Sequence, residues 1–261
     1  MRVGLLQYAP VIGDIDKNIR IIEKSLEKSD SADLWVLPEL ASSGYAFASR
    51  EEAVLLSEKL SDSKFVRFLM SQAQKHRCWF VSGINEREGD KLYNSSVLVN
   101  EEGVLGVYRK LHLFKNEKNI FEPGNLGLPV FETPLGKIAM LICFDWMFPE
   151  VWRIMGLKGV QLVCHPSNLV LPWCQTAIPG YALTNRFYVA TTNRVGTERG
   201  LKFTGCSVLV SPTGEYLLQG KRKKEQSLVA DVDLKKSTDK QITEENHAFE
   251  DRRIDVYEVN Q

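Results

Sequence analysis

Three reactive side-chain types stand just beyond apolar runs of the chain. Glu39 follows Leu34 to Leu37 and Pro38, Lys110 follows Val104 to Tyr108 and Arg109, and Cys143 follows Lys137 to Ile142. Side chains held at the ends of strands are well placed for chemistry, because a rigid sheet fixes them while loops leave room for a ligand. A free thiol has a pKa near ~8.5 and is only a few per cent thiolate at neutral pH, so a nucleophilic Cys143 needs a base. Glu39 can take the thiol proton on attack and return it to a leaving amine, one carboxylate serving as base and then acid. Lys110 can hold Glu39 ionised and donate to an oxyanion, with the Phe144 N–H as a second donor. Glu117, in the loop after Lys110, can fix the ammonium and keep it charged. Each residue also has a plainer reading. A lone Cys is most often a small buried side chain, and a single charge near a strand end is most often a solvated loop residue.

The elements that must position these residues follow from hydrophobic patterning. Val3 to Tyr8 reads as a strand, and Asp14 caps a helix with Ile15, Ile19, Ile22 and Leu26 on one face. The short strand Leu34 to Leu37 stops at Pro38, and a second amphipathic helix runs from about Asp62 to Lys75. Trp79 to Ile84 is another strand, and Tyr93 to Val99 forms a hairpin with Val104 to Tyr108. The aromatic-containing stretch 111–129 has no clear period and is expected to be a functional loop. In the second half, strand 138–143 leads into a helix opening at Pro149, whose missing N–H suits a first helical turn. The segments 160–165, 176–186, 187–193, 208–210, 216–218 and 228–232 continue the alternation. Strands alternating with helices, and no Pro/Gly/Ser-rich linker, predict an α/β protein with mixed sheets in one domain over residues 1–261. Residues 235–261 are a polar tail, helix-like over 235–240, whose aromatics can dock on the body or on a second subunit.

Composition narrows the function. Lys plus Arg number 33 and Asp plus Glu 33, so no global field recruits nucleic acid or an anionic membrane. The basic run 221–224 reads as a solvated hairpin tip. The five cysteines form an odd set with no CxxC pair, against a disulfide framework or a structural zinc site and for a reducing compartment. No apolar run is long enough to span a bilayer, and Met1-Arg2 leads directly into VGLLQY without a signal-like segment, so a cytoplasmic protein is expected.

The motifs around the three polar residues resemble the nitrilase, or carbon-nitrogen hydrolase, superfamily, most closely its amidase branches. LPELASSGY is similar to the family's glutamate segment, YRKLHLF to its lysine segment and LICFDWMFPEVWR to its cysteine segment, in the family's order. EKNIFEPGNLG resembles the stretch with the accessory glutamate, and HPSNLV and NRVGTERGLKFTGCSVLVSPTGE resemble later strands. The resemblance implies a four-layer α-β-β-α sandwich with two mixed sheets, usually in homodimers or larger homo-oligomers. It assigns Glu39 as general base and acid, Lys110 as oxyanion stabiliser, Cys143 as nucleophile and Glu117 as support, with no metal or organic cofactor. The implied reaction adds the Cys143 thiolate to a small amide, releases ammonia and hydrolyses the thioester. Tyr181 and Thr184 depart from the Arg and Glu that relatives often carry before Asn185 and Arg186, which puts local packing in question.

Tyr45, Trp146, Asn168 and Trp173 flank these motifs and are the residues expected to shape the pocket, although large aromatics also fill cores routinely. Arg194 can pair with a substrate carboxylate or make a structural salt bridge. Rival readings are a Cys-His hydrolase with His165 or His112 as base, a nitrilase, an acyltransferase, and a catalytically retired binding protein of the same fold.

Overall fold

The computed structural model describes residues 1–257. Its first half runs β1 (Arg2–Gln7), α1 (Ile15–Glu27), β2 (Leu34–Val36), α2 (Arg50–Leu55), α3 (Lys64–His76), β3 (Trp79–Glu88), β4 (Lys91–Val99) and β5 (Val104–Arg109). The second half adds β6 (Val130–Thr133), β7 (Gly136–Met140), α4 (Pro149–Leu157), β8 (Leu162–Ser167), α5 (Cys174–Asn185), β9 (Tyr188–Asn193), the small pair β10 (Thr197–Glu198) and β11 (Leu201–Lys202), β12 (Val208–Val210), β13 (Tyr216–Gln219) and β14 (Gln226–Asp231).

Two six-stranded sheets result, ordered β14-β1-β2-β3-β4-β5 and β13-β12-β9-β8-β7-β6. Each has three parallel strands at its centre and antiparallel strands outside them. The period of two sorts the apolar residues. Val3, Leu5, Leu34, Val36, Val81 and Leu98 share a core with Ile138 and Met140 of the other sheet. Leu6, Trp35, Phe80 and Val97 face the opposite way, onto Ile22 and Leu26 of α1 and Phe65 and Leu69 of α3. Trp152 and Met155 of α4 and Ile178 and Ala182 of α5 cover the second sheet. The layers are therefore helix, sheet, sheet, helix, the α-β-β-α sandwich expected from the motifs.

Several boundaries differ from the patterning. The cysteine strand ends at Met140, and Cys143 opens a 3-10 turn, Cys143–Met147. β3 continues to Glu88 and forms a long hairpin with β4, a pairing hidden because its outer half carries Asn85, Glu86 and Arg87. β6 is a half-exposed edge strand without alternation, and α2 has just one buried residue, Ala53, so neither produces a periodic signal. The stretch after Asp233 makes one 3-10 turn, Leu234–Ser237, in place of a helix over 235–240. Tyr181 stacks on Trp152 with ring centroids 4.8 Å apart, which fills the position where the motif departs from its relatives. In the tail, Phe249 lies between Arg153 and Lys240, each cation 5.1 Å from the ring centroid, so this aromatic docks on α4 of its own chain. Residues 258–261 of the tail lie outside the described residues.

α5 contains Pro179, which has no N–H for the carbonyl of Gln175. That carbonyl accepts from Tyr216 Oη at 2.8 Å. At the site end of the first sheet, β3 passes so close to the loop after β2 that only glycine fits at position 83. A Cβ there would lie 2.3 Å from the Leu40 nitrogen and 2.5 Å from the Glu39 Cα. Gly83→Ala is therefore expected to displace Glu39 and lower Tm by roughly 3 to 10 °C, read by thermal unfolding. An unchanged Tm would show that the loop can retreat freely.

Candidate active site

Glu39, Lys110 and Cys143 all sit at the carboxyl ends of strands, the first two beyond β2 and β5 of one sheet and the third beyond β7 of the other. The sandwich brings these ends together. Lys110 Nζ donates to Glu39 Oε1 at 2.7 Å and to Glu117 Oε1 at 2.8 Å, and the side chains of Glu39 and Lys110 are fully buried. Asn94 of β4 donates from Nδ2 to the same Glu39 oxygen at 2.7 Å. Glu39 Oε2 is buried and has no hydrogen-bond partner among the described residues. Glu117 is held in turn by Tyr45 Oη at 2.7 Å and by the Phe114 N–H at 3.1 Å.

The charge balance explains the protonation states. Burial lowers the Lys110 pKa, but Glu117 and Glu39 outweigh it and the ammonium is held charged, with its pKa raised. Burial pushes the Glu39 carboxyl above its ordinary range; Lys110 and Asn94 pull against it. Burial first, and then the Glu39 carboxylate, raise the Cys143 thiol well above its usual value against the pull of Lys110. Cys143 therefore rests as a neutral thiol near the Glu39 carboxyl group, whose Oε2 has no partner among the described residues.

Cys143 adopts φ +43° and Leu40, directly after Glu39, φ +49°, a left-handed conformation that costs a side-chain-bearing residue roughly 1–2 kcal/mol. Asp145 secures the cysteine turn. Its Oδ2 accepts from Tyr108 Oη at 2.7 Å and the Ile142 N–H at 2.9 Å, and its Oδ1 accepts from the His112 N–H at 3.2 Å and meets His112 Nδ1 at 2.7 Å. The first turn bond runs from the Asp145 N–H to Ile142 O at 3.0 Å, so the Phe144 N–H precedes the hydrogen-bonded turn.

Asn168, beyond β8, donates to the Glu39 carbonyl at 2.9 Å; a carbonyl only accepts, so the amide orientation is fixed and Oδ1 is left, buried, without a partner among the described residues. A hollow of about 100 Å³ contains Cys143 and Asn168 and is walled by Phe144, Trp146 and Trp173 among others. A larger one, about 320 Å³, is lined by Tyr45, Glu117, Lys115 and Arg199. Phe114 and Val170 border both.

Neither histidine is placed as a base for the thiol. His165 is fully buried; Nε2 donates to the Cys143 carbonyl at 2.9 Å and Nδ1 meets Thr191 Oγ1 at 3.0 Å. Burial takes its pKa down to about 4, so the ring is neutral. His112 stacks on Phe148 at 3.6 Å and bonds Asp145. Arg194 is also structural: it donates to Glu198 Oε2 at 2.8 Å and Pro10 O at 2.9 Å and covers the Phe203 ring, while Glu198 Oε1 accepts from the Tyr45 N–H at 2.8 Å. The patterning missed Asn94, Asp145 and Tyr108. A motif reading could have weighed Asp145 for its place two residues after the thiol, whereas Asn94 and Tyr108 are ordinary strand residues in sequence.

The profile of the carbon-nitrogen hydrolase family matches residues 2–240. The chain belongs to that family. The hydrolase is 42% identical over 259 residues to a nitrilase from Pyrococcus abyssi, covering 98% of this chain and 99% of that one. Its fold is similar to a carbon-nitrogen hydrolase from Helicobacter pylori G27, with TM-score 0.85, 28% identity, and 98% and 97% of the two chains covered. It is also similar to a glutamate-to-glutamine variant of the amidase from Nesterenkonia sp. AN1, solved with the acetamide moiety of fluoroacetamide covalently added at its active-site cysteine. There the TM-score is 0.77 and the identity 26%, with 93% and 94% covered. The two sandwiched sheets are those of the nitrilase superfamily. No helix among the described residues is long and apolar enough to cross a membrane.

Two measurements test the supports of the hydrolase's site. Asp145→Ala would leave the Tyr108 hydroxyl, the Ile142 N–H and the His112 groups without their acceptor, and should cost about 3 kcal/mol in denaturant unfolding; a loss below about 0.5 kcal/mol would show the turn is held elsewhere. His165 binds a proton near pH 6.5 when unfolded but only near pH 4 when folded. Its contribution is thus complete above about pH 6.5 and lost as the pH falls toward about 4, up to roughly 3 kcal/mol. His165→Gln should flatten that part of the stability profile, and an unchanged slope would refute the assignment.

Proposed function

We propose that this carbon-nitrogen hydrolase is an amidase that cleaves a small primary amide through a Cys143 thioester. The observation that carries the reading is Glu39, anchored through one oxygen by Lys110 and Asn94 while the other is buried and free beside a neutral thiol. The free Oε2 takes the Cys143 proton as sulfur attacks the amide carbon. The carbonyl oxygen becomes an oxyanion, which the Lys110 ammonium and the Phe144 N–H are suited to receive. Collapse breaks the C–N bond, Glu39 returns the proton to the leaving nitrogen, and ammonia departs. Water, deprotonated by Glu39, then attacks the thioester; the acid leaves and the thiol takes back its proton. Glu117 keeps Lys110 charged and in place. The covalent cysteine adduct of the Nesterenkonia amidase supports the same role for Cys143.

An amide fits the unpaired acceptors better than a nitrile. Glu39 Oε2 and Asn168 Oδ1 are both buried without partners among the described residues, and an amide NH₂ brings two donors where a nitrile nitrogen brings none. We further propose that residues 1–261 form one catalytic domain and that the working form is a homo-oligomer. Ammonia release across a panel of primary amides tests the activity. Cys143→Ala should abolish it, Glu39→Gln should reduce kcat at least 100-fold, and mass spectrometry should find an acyl adduct on Cys143 in wild type. Near-normal turnover by Glu39→Gln, or faster turnover of the matching nitriles, would overturn the reading.

A further inference from the structure

The amide reading leaves the acyl group open, and the walls around Cys143 bear on it. When a primary amide loses ammonia, every remaining substrate atom stays on the acyl carbon, so the space beside the sulfur determines which substrates react. Here that space is the hollow of about 100 Å³. Phe114, Phe144, Trp146, Leu171 and Trp173 form its walls, and Asn168 is the one polar side chain among its lining residues besides the thiol itself. The segment after Asn168 reads Leu169-Val170-Leu171-Pro172-Trp173 and brings no charge.

We propose that this hollow is an apolar acyl slot, selecting uncharged aliphatic or aromatic acyl groups up to about benzoyl size and rejecting amides with an ionised distal group. The size limit follows from comparison: an apolar protein cavity of about 150 Å³ holds benzene, and this one is smaller but open at its rim. The charge selection follows from desolvation. A carboxylate or ammonium drawn into the slot would lose water and meet no charged side chain among the slot's lining residues, and the buried Lys110 nearby is already paired with Glu39 and Glu117. The cations Lys115 and Arg199 line the larger hollow, across Phe114 and Val170. Arg199 is already bound to Glu52 at 2.5 and 2.6 Å and to the Ala46 carbonyl at 3.0 Å. The mouth of the slot is apolar too: Met147 is 53% and Trp173 59% exposed.

The inference rests on the amidase reading, and its test has one arm that needs no turnover. The first arm compares kcat/KM for propionamide, butyramide, valeramide and benzamide with succinamate, glutaramate and 4-aminobutyramide. Each added methylene should raise kcat/KM about fourfold until the slot is full, and the neutral amides should exceed the charged ones of matched length at least tenfold. Leu171→Arg should narrow or reverse the gap toward succinamate and glutaramate. The second arm titrates the same amides into Cys143→Ala, following the fluorescence of the tryptophans that line the slot, and should give the same order of affinities. Trp173→Ala should raise KM for valeramide and benzamide more than for propionamide. Equal or better turnover or binding of the charged amides would overturn the slot, as would a uniform effect of Trp173→Ala on all amides. Preferential binding of neutral amides to Cys143→Ala without ammonia release by the wild type would uphold the slot while refuting the amidase reading.

Discussion

One buried ammonium holds the centre of this protein together. Lys110 bonds Glu39 on one side and Glu117 on the other, and all three side chains are buried, at 0%, 0% and 5% exposure. An isolated charge in that position would cost several kcal/mol of lost hydration, so none of the three is stable there alone. Their interdependence fixes geometry as well as charge. Lys110 can relax only by breaking a charged hydrogen bond, and Glu39 has Asn94 as a second constraint on the same oxygen. The result is a buried carboxyl group whose orientation is set by its neighbours. Burial, and after it the Glu39 carboxylate, also keeps the thiol protonated at rest, which lowers its reactivity toward oxidants and alkylating agents.

The two sheets are joined at this end by polar contacts in addition to their apolar interface. Tyr108 and His112 flank Lys110 at two residues on either side, and both bond Asp145 on the cysteine turn. Asn168 of the second sheet holds the Glu39 carbonyl of the first. A shift of one sheet against the other would therefore strain Lys110, Glu39 and Cys143 at once. The apolar core sets the distance between the layers, and these bonds set their alignment at the site.

The fold was largely readable because buried parallel strands leave unbroken apolar runs, and the charged residues of the site stand directly after them. Glu39, Lys110 and Cys143 were visible for that reason and because the surrounding motifs agree with one family. Asn94 was not, since a strand asparagine looks alike whether it faces a carboxylate or solvent. Asp145 and Tyr108 act through contacts between segments far apart in the chain, which periodicity does not encode. For Arg194 the sequence left two roles open, a substrate carboxylate or a structural salt bridge, and its partners Glu198, Pro10 and Phe203 show the structural one. β6 and α2 escaped because half-exposed edges and one-turn amphipathic pieces carry almost no hydrophobic period.

The left-handed backbone at Cys143 has a consequence for how such a chain can change. Glycine adopts φ +43° with little penalty, so a glycine here would relieve roughly 1 kcal/mol of backbone strain while giving up the buried contacts of the sulfur. The turn thus keeps a thiol at a position where backbone conformation alone would favour having no side chain.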